Sequence, residues 1–246
     1  MNTEEIGSVG KAPAGDILII RKVYLVTMVQ PSHGSLDGFQ ERYDSYWNAV
    51  DAQVSQLEAT AGVVARIFAE GVIGRGDDAM LMLQQSNPGA HRLVRQRVTA
   101  GAVFEEFEDK DLFGQVIDWA RCLQSGLISR TVVEEIQANY NEVANKRNEH
   151  LQKRLDEGIR DSEAALLLGA DPGVKLPEGV ERFFVSPPEL DELARWVQQA
   201  NEAIRQQIAD EQSPAQKDGT QDQSGTSQGS GDNNDESGGP KLWTPG

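Results

Sequence analysis

Cysteine is almost missing from this sequence: Cys122 stands alone, which excludes an internal disulfide and a cysteine metal cluster. The expectation for it is a small buried residue within a helix. Histidine is scarce too. His33, His91 and His150 have no second histidine or cysteine at ligand spacing, so no metal site and no cofactor is expected. The chain carries neither a Gly-x-Ser-x-Gly elbow nor a Walker loop, and no catalytic residue is assigned. Long apolar runs are lacking as well. The most apolar segment, Asp16 to Val29, is broken by Arg21 and Lys22. It falls short of the roughly 20 apolar residues that a membrane-spanning helix needs.

Positive charge is in short supply. Lys and Arg number 23 against 39 Asp and Glu, for a net charge of -16. Such a field repels phosphate and argues against general binding to nucleic acid or an anionic membrane, while leaving room for a local basic patch. Residues 1–15 carry Glu4 and Glu5 and no apolar core, which argues against a secretory signal there. A reducing, cytoplasmic setting is the expectation.

Against these absences, hydrophobic patterning is strong. Thr131 to Gly158 reads as one long amphipathic helix, with Ile136, Tyr140, Val143, Arg147, Leu151 and Leu155 at three- and four-residue steps. Thr131 and Glu134 have the spacing of a capping box, and Gly158 that of a left-handed stop. Glu163 to Leu168 follows, a continuous apolar run suited to a strand covered on both faces. Further strands are read at Lys22–Val29, Gly62–Ala69, Ala102–Phe107 and Glu181–Val185.

Helices fill the intervals. One is capped by Asp37 and lined by Phe39, Tyr43, Tyr46, Trp47, Val50, Val54 and Leu57, an aromatic stripe read as core. Asn87-Pro88 opens a second, and Gly101 closes it. A third has Leu112, Phe113, Val116, Ile117, Ala120 and Leu123 on its buried face and stops at Gly126. Ser186-Pro-Pro-Glu189 launches the last. Alternating strands and helices define an α/β fold: a mainly parallel sheet of about four to five short strands covered by helices, with one long central helix.

The organisation expected is a flexible arm at 1–15, an α/β body at 16–211, a disordered linker at 212–239 and a terminal peptide at 240–246. The body is either one unit or two lobes, 16–126 and 127–211. In the terminal peptide, Leu242, Trp243 and Pro245 end a polar tether and are the candidate partner-binding residues. Two basic groups are candidates for RNA or phosphate: Arg92, Arg95 and Arg97 on one helix, and Lys146, Lys153 and Arg154 on the long one. The glycine-rich loop Gly71 to Asp78 matches no phosphate-binding fingerprint, and Asp77 and Asp78 oppose an anion.

Tyr140 to Trp196 resembles an uncharacterised prokaryotic α/β family, through Asn148 to Gly158, Glu163 to Leu168 and Phe183 to Trp196; Val23 to Val29 fits as well. More distantly, the helix-then-strand layout is similar to the later domains of bacterial relatives of archaeo-eukaryotic peptide-release factors. The chain lacks their Gly-Gly-Gln tripeptide, so the resemblance does not imply peptidyl-tRNA hydrolysis. It implies a partner- or RNA-binding module connected with translation or stress. The reading drawn is a non-catalytic binding or adaptor protein. The alternatives are a small hydrolase or nucleotide-handling enzyme with its site near Gly74 to Asp78, or a ribosome- or RNA-associated factor.

Overall fold

The computed structural model describes residues 20–31, 37–169 and 175–212. The arm, the terminal peptide with Leu242, Trp243 and Pro245, the linker beyond Gln212, and His33 lie outside the described residues. In chain order the elements are β1 (Arg21–Thr27), α1 (Phe39–Ala61), β2 (Val64–Ala69), α2 (Gly76–Ser86), α3 (Pro88–Thr99) and β3 (Val103–Phe104). Then come α4 (Lys110–Gln124), α5 (Arg130–Gly158), β4 (Ala164–Gly169), β5 (Val180–Val185) and α6 (Pro188–Gln212).

The strands form one sheet in the order β3-β2-β4-β1-β5, and each adjacent pair is parallel. Strands from 16–126 and from 127–211 interleave in it, since β4 lies between β2 and β1. This central place explains the unbroken apolar sequence of β4. All six of its residues are buried because both faces are covered.

One face packs on α1, α2, α3 and α6, through Tyr24, Val26, Ile67, Leu166 and Leu168 on the strands. The α1 stripe forms the centre of this core: Tyr43 and Tyr46 each meet Trp47 edge-on. The other face is narrower. Val23, Phe68, Ala165 and Leu167 pack beneath Leu151 and Leu155 of α5, with Leu176 beside them. Phe184 of the edge strand β5, beside Leu25 in register, is 59% exposed.

Several local signals act differently from their sequence reading. Gly38, left-handed at φ 88°, precedes α1, and no side chain caps that helix. Helix α5 starts at Arg130, so Thr131 already lies inside it, and an ion pair between Arg130 and Glu134 occupies the glutamate in place of a capping box. Gly158 is the last helical residue rather than a left-handed stop; the chain leaves through extended Ile159. Its hydrogen is needed for packing instead, as a Cβ there would lie 2.7 Å from Phe68 Cζ. Cys122 is exposed, because α4 packs chiefly on α5 and turns its other side to solvent. Strand β3 shrinks to two residues, after which Asp109 caps α4 by accepting from the N–H groups of Asp111 and Leu112, each at 2.9 Å. Asn87 caps α3 as read, and its amide also donates to the Val29 carbonyl at 2.8 Å.

Candidate functional site

In parallel α/β sheets, ligands gather beyond the carboxyl ends of the strands. Here a compact charged cluster occupies that edge between β2, β3 and α5. Arg147 stands among the apolar positions of α5 and donates through Nε to Glu108 Oε2 at 2.9 Å, with a second bond from Nη2 to Glu108 Oε1. Glu70, just past β2, approaches the same guanidinium at 3.5 Å. The Phe113 ring lies 5.7 Å from the Arg147 carbon. Glu108 also accepts the Gly71 N–H at 2.8 Å, so one carboxylate ties the β2 turn to the long helix. Burial opposes the charge of Arg147, but the Glu108 and Glu70 carboxylates outweigh it and raise its pKa. The cluster is closed on itself, and its chemistry is that of a structural clamp.

The loop proposed for an enzyme site follows β2 as a turn, with Gly74 and Gly76 at positive φ and with Asp77 and Asp78 exposed in the first turn of α2. Among the described residues, no group of three or more His, Cys, Asp or Glu side chains could hold a metal ion.

The two basic groups do not converge. Helix α3 covers the first face of the sheet and α5 the second. Within the α3 group, Arg97 is 3% exposed and bonds to Asp51 at 2.7 Å and Glu58 at 3.2 Å. Arg92 pairs with Asp44 at 2.8 Å. These guanidiniums join α3 to α1, and only Arg95 is left facing solvent without such a partner. Desolvation, followed by Arg95, pushes the neighbouring His91 below its usual pKa.

On α5, Lys146 pairs with Glu142 at 2.6 Å and Lys153 approaches Glu157 at 3.8 Å. Lys153 and Arg154, successive in sequence, point in different directions from the helix, and each lines a different cleft. The cleft on the β1 side, about 490 Å³, includes Lys153, Gln152, Asp156 and Pro177. Arg21 crosses it, donating to Asp156 Oδ1 and to the Glu178 carbonyl, both at 2.9 Å.

The second cleft, on the β2 side, is about 200 Å³ and includes Arg66, Arg154 and Arg160 with Glu105 and Glu157. Arg66 is held by Glu105 and, at 3.3 Å, by Glu163. The Glu105 bond is the main cause of its raised pKa. Arg154 spends only Nε, on the Glu106 carbonyl at 2.9 Å. Sequence reasoning reached Arg154 but neither Arg66, on a strand distant in the chain, nor Arg160, in the turn just after α5. An arginine inside the otherwise apolar β2 was the available signal.

The most exposed apolar group lies elsewhere, where α4 turns into α5. Ile128 is fully exposed, Leu127 and Val132 are partly so, and Ser129 separates the turn from the start of α5. The first half of α5 packs on α4, and its fully buried positions begin only at Val143. The two helices therefore form a hairpin whose tip is apolar.

No family model, curated protein or solved structure matches the chain. No helix among the described residues is long and apolar enough to cross a membrane.

Proposed function

We propose that this chain is a non-catalytic binding or adaptor protein, with the tip of the α4–α5 hairpin engaging a protein partner. One observation carries the reading: Leu127, Ile128 and Val132 come together, exposed, at the end of a helical hairpin. Apolar side chains grouped in the open favour contact with an apolar surface on another protein. Fully exposed Ile128 makes little contribution to this fold, so its burial in a complex would add about 2 kcal/mol or more of driving force.

Leu242, Trp243 and Pro245 extend the proposal to a second partner, docked by the end of the chain. The distant resemblance of the layout to release-factor relatives is in keeping with this reading, in which the body is a partner- or RNA-binding module. Affinity capture tests both contacts. The expected result is loss of one partner with Ile128→Asp and of a different partner on removal of residues 240–246, with helix content unchanged. The same partners captured by all three proteins would overturn the proposal.

A further inference from the structure

We propose that the cleft where α5 runs into β4 binds the phosphate group of a small molecule. The proposal is independent of the hairpin. Three arginines meet there: Arg66 from β2, and, from the other side, Arg154 near the end of α5 with Arg160 in the turn that follows it. Arg66 is fixed in place by Glu105 and Glu163. The terminal nitrogens of Arg154 and the whole guanidinium of Arg160 make no hydrogen bond or ion pair with a described residue. Two planar donor forks are thus free beside a third that is anchored, the arrangement that suits tetrahedral oxyanions.

Position reinforces the choice. Nε of Arg154 donates to the Glu106 carbonyl, which holds its fork at the cleft wall. Gly158 lets α5 close down on the buried Phe68 ring at the base of the cleft, and the surface that lines the cleft is mainly polar. The volume of about 200 Å³ is enough for a phosphate group. The net charge of -16 selects a small ligand. Repulsion from the whole molecule acts on every phosphate of a polyanion lying along its surface, whereas one group inside the cleft meets the arginines at contact range.

Titration calorimetry on the full chain tests this, with inorganic phosphate, pyrophosphate and 5′-AMP as probes and a ten-nucleotide single-stranded RNA for comparison. Saturable binding is expected for at least one small probe. Arg154→Gln with Arg160→Gln should weaken it at least tenfold, and Lys146→Gln, away from the cleft, should leave it as it was. Glu157→Gln should tighten binding, because it removes a cleft carboxylate that opposes the anion and, unlike Glu105, holds no arginine. A damaged fold would not give that increase. The proposal is overturned if no small probe saturates, if the double arginine variant binds as well as the parent, or if Glu157→Gln does not tighten binding. RNA binding tighter than every small probe and lost with the two arginines would also overturn it, in favour of a nucleic-acid site. Binding by inorganic phosphate alone supports a free-phosphate ligand, and a preference for 5′-AMP supports a nucleotide.

Discussion

Arg147 occupies a position whose spacing along α5 belongs to apolar residues, and the structure shows why a cation is tolerated there. Its guanidinium reaches Glu108, whose side chain is fully buried, and Glu70 beyond it. Removing one member of such a pair leaves the other charge buried and uncompensated, which costs more than the intact pair contributes. Arg147→Ala should therefore lower stability by about 3 kcal/mol, and Arg147→Met by less, since its apolar stem still packs. Denaturant unfolding of both variants checks this. Equal losses would mean that the charge, rather than the packing of the stem, accounts for the whole effect. The arginine was legible in sequence as an anomaly on an apolar face. Its partners were not, because Glu70 and Glu108 come from loops that only the sheet brings to α5.

Between elements, the tightest approach joins α3 to α1. A Cβ at Gly89 would lie 2.2 Å from Trp47 Cδ1, and the Gly89 N–H donates to the Tyr43 hydroxyl at 3.0 Å. The same hydroxyl donates to Asn87 at 2.5 Å, so the helix cap and the interhelical contact share one tyrosine. Gly89→Ala would gain about 1 kcal/mol of helix propensity but overpack the junction. The net outcome expected is a loss of about 2 kcal/mol, measured by thermal or denaturant unfolding, and a gain would show that the indole moves aside freely. The cap and the aromatic stripe were both readable from residue spacing. That glycine was required between them was not, because helix spacing says nothing of how near a second helix comes. The same limit applies to Gly158, whose sequence position suggested a stop and whose structural task is close contact with Phe68.

Across the whole molecule, the larger of the two cores contains Tyr24, Tyr43 and Tyr46. Desolvation raises the pKa of each, that of Tyr24 to about 12 with further contributions from Glu58 and Glu181. For a tyrosine the charged form is the deprotonated one, so the folded state holds its proton longer than the unfolded chain does. The stability gained is present in full below pH 10 and is lost as pH rises from there through about 12. Unfolding free energy should be flat from pH 8 to 9.5 and fall steeply above pH 10. Tyr24→Phe should make that fall shallower. An unfolding curve independent of pH up to 11.5 would contradict the burial of these hydroxyls.

What the sequence determined by itself was the kind and order of the elements. Apolar spacing distinguishes a helix from a strand locally, and the continuous run of β4 already required cover on both faces. Composition likewise set the field of the molecule, with its excess of acid. Only the tertiary structure decided which charges remain available. Arg92 and Arg97 read as a basic patch but are spent on α1, while Arg154 and nearby Arg160 gain Arg66 as a neighbour from across the chain. An ion pair depends on distance through space, and residues 39 to 97 positions apart carry no sequence mark of meeting. The tertiary structure also left Leu127 and Ile128 exposed at the turn of a hairpin, where α4 and α5 pack chiefly on each other.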